Sequence, residues 1–249
     1  MTHDFRYSLV MLAALVTCSL LLRRTQARLP LEWWEKLGIG LGAFCGAMIG
    51  AKLPFVFMSD VGFWDGRAWL ADGKTIMCGI VGGYFGVEFA KWILHVRVKT
   101  GDTFAVPVAI AVGIGRLACF IGGCCFGTVT TLPWGVHFPR IDSDPAVLRH
   151  PTQIYEAVFH FSLAAMLFAL QREGRFRGNL IKLYILCYLA YRFVSEFIRP
   201  EARIFGGLTG YQWAAIGLAP VFLWLWWRDA VKLKKAASAA PACPQEPAR

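Results

Sequence analysis

The chain has 249 residues, 57% of them apolar and 17% charged, with a mean hydropathy of +0.49. An ordinary soluble domain is ~45–50% apolar with glycine included and ~25% charged, so a soluble enzyme and a disordered chain are both excluded as first readings. The net charge of +10 fits cations gathered in loops against anionic lipid better than it fits a nucleic acid, and no nucleic-acid partner is expected.

Seven apolar runs follow one another, at about 7–22, 37–58, 75–96, 104–126, 153–170, 180–197 and 213–227. Spans of ~20 residues are what a bilayer requires of a helix. The expectation is an all-α polytopic membrane protein: a transmembrane domain of seven helices over residues 1–235, and a disordered Ala/Pro/Ser-rich tail over 236–249. The first run ends at Arg23-Arg24; its length and the side on which its charge falls favour a membrane helix over a cleaved signal peptide. In the second run Gly38, Gly42, Gly46 and Gly50 recur every four residues, a face on which helices pack backbone to backbone. The third carries Glu88 and Lys91 at a spacing that lets them pair, and Lys182 near the start of the sixth can snorkel. Trp33-Trp34, Trp64, Trp69, Trp224 and Trp226-Trp227 fall near run ends, where indoles prefer the interface.

Loop cations set the orientation. Arg23, Arg24, Arg28, Lys36, Arg97, Lys99, Arg172, Arg175, Arg177, Arg228, Lys232, Lys234 and Lys235 lie on one side, and fewer on the other. The richer side is expected to be cytoplasmic, with the N-terminus outside and the C-terminus inside. Residues 127–152 and the stretch 199–211, read as a loop, then face outward.

Charges inside spans are expensive and point to function. Arg116 and Arg192 lie near the outer ends of the fourth and sixth runs. Glu196, four residues after Arg192, accounts for one arginine and leaves the other. Two guanidiniums facing one cavity suit a phosphate, which they hold in a bidentate fork; in a bilayer that phosphate belongs to a lipid headgroup. Residues 113–127 read GIGRLACFIGGCCFG, where Gly115, Gly123 and Gly127 would let backbone N–H groups approach an anion. His150-Pro151 opens the fifth run, with Gln153, Tyr155 and Glu156 in its first turns; His150 can titrate near neutrality. Tyr188, Arg192, Glu196 and Arg199 share one helical face. The eight cysteines contain no CxxC, so neither a disulfide framework nor a metal site is expected. Cys in an apolar run usually means a small buried residue, and a covalent relay at Cys124 or Cys125 is the less favoured reading.

In this order the motifs GRxxxFxxGxxxG, HPxQxYE, and YxxYRFxxEFxRxE with GLTxxQ resemble prolipoprotein diacylglyceryl transferase, from about Leu37 to Trp227. The resemblance implies a multi-pass protein of the bacterial inner membrane with no cofactor. It implies transfer of the diacylglyceryl group of phosphatidylglycerol to the lipobox cysteine of a prolipoprotein signal peptide, with release of glycerol phosphate. The family's essential arginines match Arg116 and Arg192. Its tyrosine, glutamate and second arginine on the sixth span match Tyr188, Glu196 and Arg199, and HPxQxYE is intact at His150, Gln153, Tyr155 and Glu156. The chain departs from the family at Cys119, Gly122 and Cys124, where the family has Asn, Asn and Glu, and at Val81, where it has a histidine. The base that would take the thiol proton is then His150, Glu196 or the substrate's own ionisation. The alternatives are a transferase with another acceptor and a lipid-binding or transport protein without catalysis.

Overall fold

The computed structural model describes residues 5–57, 66–70, 73 and 75–239. The long helices are α1 (Phe5–Gln26), α2 (Trp33–Phe57), α4 (Ile76–Ile93), α5 (Gly101–Gly122), α6 (Thr152–Arg172), α7 (Leu180–Ser195) and α8 (Gly210–Ala239), with a short α3 (Gly66–Leu70) after α2. Six of them (all but α7 of the long helices) are long and apolar enough to cross a membrane. The 16 residues of α7, prolonged by a 3₁₀ turn over Glu196–Ile198, carry the charged stripe. The chain is a mostly helical, polytopic membrane protein.

α7 is the central helix and packs against α4, α5, α6 and α8. Its apolar positions Leu180, Ile181, Tyr184, Ile185, Tyr188 and Leu189 are buried in the main core. A helix so covered can carry charge, because its polar face meets protein rather than lipid. Asp102 on α5 caps it, accepting the N–H groups of Gly178 (2.5 Å) and Leu180 (3.0 Å), donors a helix N-terminus otherwise leaves unpaired. Lys182 does not snorkel: it is 2% exposed and donates to Asp229 on α8 (3.0 Å) and to Asn179 (2.9 Å). Lys99 joins the same carboxylate. The first turn of α7 is covered by α8, so the ammonium finds its counter-charge inside. Lys91 pairs with Glu88 at 3.1 Å.

The stretch 199–211 is not a plain loop. β1 (Arg203–Phe205) and β2 (Leu208–Thr209) form an antiparallel hairpin. Its turn is Gly206-Gly207, with φ of 60° and 71°, the positive values a two-residue hairpin turn of the I′ type demands. At the other end, α8 runs through Ala239, so residues 236–239 are helical; the expected disordered tail from 240 onward, like Trp64, lies outside the described residues.

α2 and α4 meet on glycine. A Cβ on Gly82 would stand 2.9 Å from Gly50 Cα, and one on Gly46 2.8 Å from Gly86 Cα. These are backbone atoms, so nothing flexible can yield. Thr75 fixes the register by donating its N–H to Ala51 O (2.9 Å) and capping α4 through Cys78 N (3.3 Å). Gly82→Leu therefore drives the helices apart and costs about 1–3 kcal/mol or more, the usual penalty of overpacking. It should lower the thermal midpoint of the detergent-solubilised chain, whereas Gly40→Leu, with nothing within 4 Å of its Cβ position, should leave it unchanged.

Candidate functional site

At the end of the bundle opposite Lys99 and Lys182, three helices bring five charges together. Glu156 lies in the second turn of α6, fully buried, and its two oxygens are shared among four partners. Arg116 on α5 donates to Oε1 at 2.8 Å, and the Tyr188 hydroxyl on α7 donates to the same oxygen at 2.6 Å. Arg199, just past the 3₁₀ turn, donates to Oε2 at 2.8 Å. Arg192 Nη1 stands 3.9 Å from Oε2, while its Nη2 faces Glu196 at 3.1 Å. The Arg192 guanidinium lies 4.5 Å above the Tyr211 ring, a favourable cation–π placement.

Three guanidiniums against two carboxylates leave the cluster with one net positive charge. All five are nearly inaccessible, between 0% and 7% exposed. Among the described residues, Arg116 Nε, Arg192 Nη1, Arg199 Nε and both Glu196 oxygens have no hydrogen-bond partner. Buried charges are normally paired and their protons used, because each uncompensated ion costs several kcal/mol. The unpartnered N–H groups of the three arginines are donors that an anion would satisfy.

The remaining expected residues lie around this cluster in supporting positions. Gln153, fully buried, donates to Cys124 O at 2.5 Å, and Thr152 Oγ1 donates to Cys125 O at 2.7 Å. Gly127 N donates to His150 O at 2.9 Å, and a Cβ on Gly127 would stand 2.8 Å from Ile198 O. The chain thus crosses the ends of α6 and α7 only because position 127 lacks a side chain. Gly123, at φ 69°, ends α5 with its N–H on Phe120 O, and Gly115 faces Met11 on α1. The expected backbone cradle is not formed: the N–H groups of Gly123 and Gly127 are spent on helix ending and loop pairing. His150 lies 3.4 Å from the Tyr155 hydroxyl, which accepts from Trp134 Nε1 at 2.8 Å. Both residues tie the segment 127–152 to α6, away from the carboxylate hub.

Two participants escape a reading by motif. His160, fully buried one turn after Glu156, places Nε2 3.8 Å from Glu156 Oε1, and its Nδ1 meets the Tyr184 hydroxyl at 3.2 Å. The i, i+4 spacing from Glu156 is the signal that could have found it. The second is the role of GLTxxQ: Thr209 Oγ1 accepts the Gln212 N–H (3.3 Å) and Gln212 Oε1 accepts the Thr209 N–H (2.9 Å). This is a capping box. Its Gln212 also donates to Phe193 O at 3.1 Å, clasping α8 to α7 beside Arg192.

A family profile described as prolipoprotein diacylglyceryl transferase matches residues 5–228. Among curated relatives, phosphatidylglycerol–prolipoprotein diacylglyceryl transferase of Clostridium tetani is 34% identical over 64% of this chain and 66% of its own length. The protein of the same name from Teredinibacter turnerae is 36% identical over 67% of this chain and 62% of its own length. The one from Coxiella burnetii is 31% identical over 77% of this chain and 76% of its own. The chain thus spans a little under two thirds of the first two. No solved structure matches the chain.

Two outcomes test the site as built. Glu156→Gln leaves three arginines around a neutral group and should cost about 3–5 kcal/mol, as breaking a buried pair does; thermal unfolding of the solubilised chain reads it, and Glu173→Gln, on an exposed carboxylate, should be silent. In the segment between α5 and α6, Arg149 grips Asp142 through two hydrogen bonds, at 2.7 and 2.8 Å. Those bonds hold the Asp142 carboxyl below the usual carboxylate range. A depressed carboxyl contributes order above its unfolded value and loses it as pH falls through the folded one. Proteolysis of segment 128–149 should therefore rise at acid pH below the usual carboxylate range, and Asp142→Asn should show the fast rate at neutral pH.

Proposed function

The chain belongs to the prolipoprotein diacylglyceryl transferase family, and from that premise we propose that it transfers the diacylglyceryl group of phosphatidylglycerol to the cysteine thiol of a prolipoprotein signal peptide. The observation that carries the reading is the buried cluster with one net positive charge and unpartnered N–H groups on Arg116, Arg192 and Arg199. A phosphodiester carries one negative charge and offers acceptor oxygens. It neutralises the surplus and satisfies donors the folded chain leaves open.

In the reaction the thiol sulfur forms a bond to the diacylglyceryl carbon, the bond from that carbon to the phosphate oxygen breaks, and glycerol phosphate leaves. Arg116 and Arg192 hold the phosphate and meet the charge that grows on it. Arg199 and Tyr188 hold Glu156, and Glu156 in turn orients the arginines. The thiol must lose its proton to attack. Glu196, a buried carboxylate whose oxygens accept no hydrogen bond, is better placed for this than His150, which is engaged at the rim with Tyr155. An apolar groove of about 550 Å³ between α2 and α4, walled by Ile49, Leu53, Val81, Phe85 and Leu218, offers an acyl chain room away from water. Val81, at the family's histidine position, belongs to that wall and brings no proton acceptor.

Orientation follows from the same frame. Arg23, Arg24, Lys99, Arg172 and Arg228 mark the opposite end from the arginine cluster, and that cationic end faces the cytoplasm. The site then lies toward the outer face of the bacterial inner membrane, where a secreted precursor presents its cysteine. Val81 and the cysteines in the glycine motif favour a second reading, in which the lipid donor is kept and the acceptor differs.

Purified chain in phosphatidylglycerol micelles with a fluorescent lipobox peptide tests both. Lipidated peptide and glycerol phosphate should appear together; an unmodified peptide with lipidation of an added small thiol or alcohol and matching release of glycerol phosphate selects the second reading, and no release with any of these acceptors defeats both. Arg116→Ala and Arg192→Ala should each lower turnover by about 10²–10³-fold, the usual loss of one charge-stabilising donor. Unchanged turnover in both would remove the phosphate-holding role.

A further inference from the structure

The cysteines that depart from the family pattern form a group of their own. Cys119 lies on the last turn of α5, which stops at Gly122. Gly123 at φ 69° and Cys125 at φ 61° reverse the chain over the helix end. The Cys124 N–H donates to Cys119 O at 3.1 Å, and Arg140 braces the turn by donating to Gly122 O at 3.2 Å. As a result the Sγ atoms of Cys119, Cys124 and Cys125 all lie within 4.8 Å of one another, with no histidine or carboxylate in the group. Cys124 and Cys125 are exposed, so the ordinary role of cysteine as a small buried apolar residue does not explain them.

The donor set selects the ion. Metal–thiolate bonds of ~2.3 Å place three sulfurs of a trigonal site ~4 Å apart, inside the spacing observed. Hard cations such as calcium and magnesium take oxygen ligands, and a closed zinc site takes four ligands. Three thiolates alone suit a soft monovalent ion. The surrounding charge agrees: the Arg116 guanidinium acts on all three thiols and Arg199 on Cys125. Three thiolates around a monovalent cation carry two net negative charges, and the arginines stabilise that complex as they would any anion.

We propose that Cys119, Cys124 and Cys125 form a three-thiolate binding site for a soft, thiophilic monovalent cation of the copper(I) type. Three S–H bonds are exchanged for three S–Cu bonds, the protons pass to solvent, and no atom changes oxidation state. The sulfur ligands are not the groups that hold the phosphate, but both sites draw on the charge of Arg116.

The test uses the full chain in detergent, reduced and without oxygen, titrated with copper(I) against a chromophoric copper(I) chelator. One copper per chain should be withdrawn from the chelator. Cys119→Ser and Cys124→Ser should abolish the withdrawal, and Cys18→Ser and Cys45→Ser should not. A second measurement needs no variant: bound copper should protect Cys119, Cys124 and Cys125 from maleimide relative to the copper-free chain, mapped by mass spectrometry. The proposal is overturned if the chelator keeps the copper or if Cys119→Ser binds as the parent does. Uptake of zinc but not copper(I) overturns it as well, as does a disulfide at Cys119 whose reduction brings no copper uptake.

Discussion

One carboxylate governs the half of this molecule that lies opposite Lys99 and Lys182. Glu156 is buried on α6 and held by Arg116 from α5, Tyr188 from α7 and Arg199 from the segment after α7. Each of these groups alone would be costly in a bilayer. Together they cancel most of one another's charge and tie the ends of three helices to one point. What remains uncancelled is a single positive charge with unused N–H groups, and that residue of imbalance is what a lipid phosphate would relieve.

The position of α7 makes this affordable. A helix facing lipid could not carry Lys182 at one end and Arg192 with Glu196 at the other. Surrounded by α4, α5, α6 and α8, α7 meets a counter-charge at each end: Asp229 at the first, Glu156 and Glu196 at the second. The middle of the same helix is apolar and aromatic, with Tyr184 and Tyr188 stacked beside His160. The two polar ends are thereby separated by a buried layer of apolar and aromatic side chains.

Much of the site could be read along the chain. The shared face of Tyr188, Arg192, Glu196 and Arg199 follows from helical spacing, and the pairing of Arg192 with Glu196 follows from the same rule. The glycine face of α2 was visible as a four-residue repeat. Its partner face on α4 was less so, because Gly79, Gly82, Gly83 and Gly86 repeat at mixed intervals and only packing shows that Gly82 and Gly86 oppose Gly46 and Gly50. Lys182 lies near the start of its apolar run, which suggests water; the Asp229 carboxylate on α8 that takes its ammonium inside lies 47 residues later. The hairpin over 203–209 was too short to leave an alternating pattern.

The amino-acid sequence by itself determined the class of protein, the helices and the identity of the charges that matter, since hydropathy, helical periodicity and the cost of burying an ion are local properties. Only the tertiary structure decided who meets whom. Arg116 and Glu156 are 40 residues apart, and nothing local sets their distance. The same holds for the use of the glycine-motif N–H groups, which the loop consumes for its own closure, and for the convergence of three thiols, which depends on a chain reversal at Gly123 and Cys125 that no spacing rule anticipates.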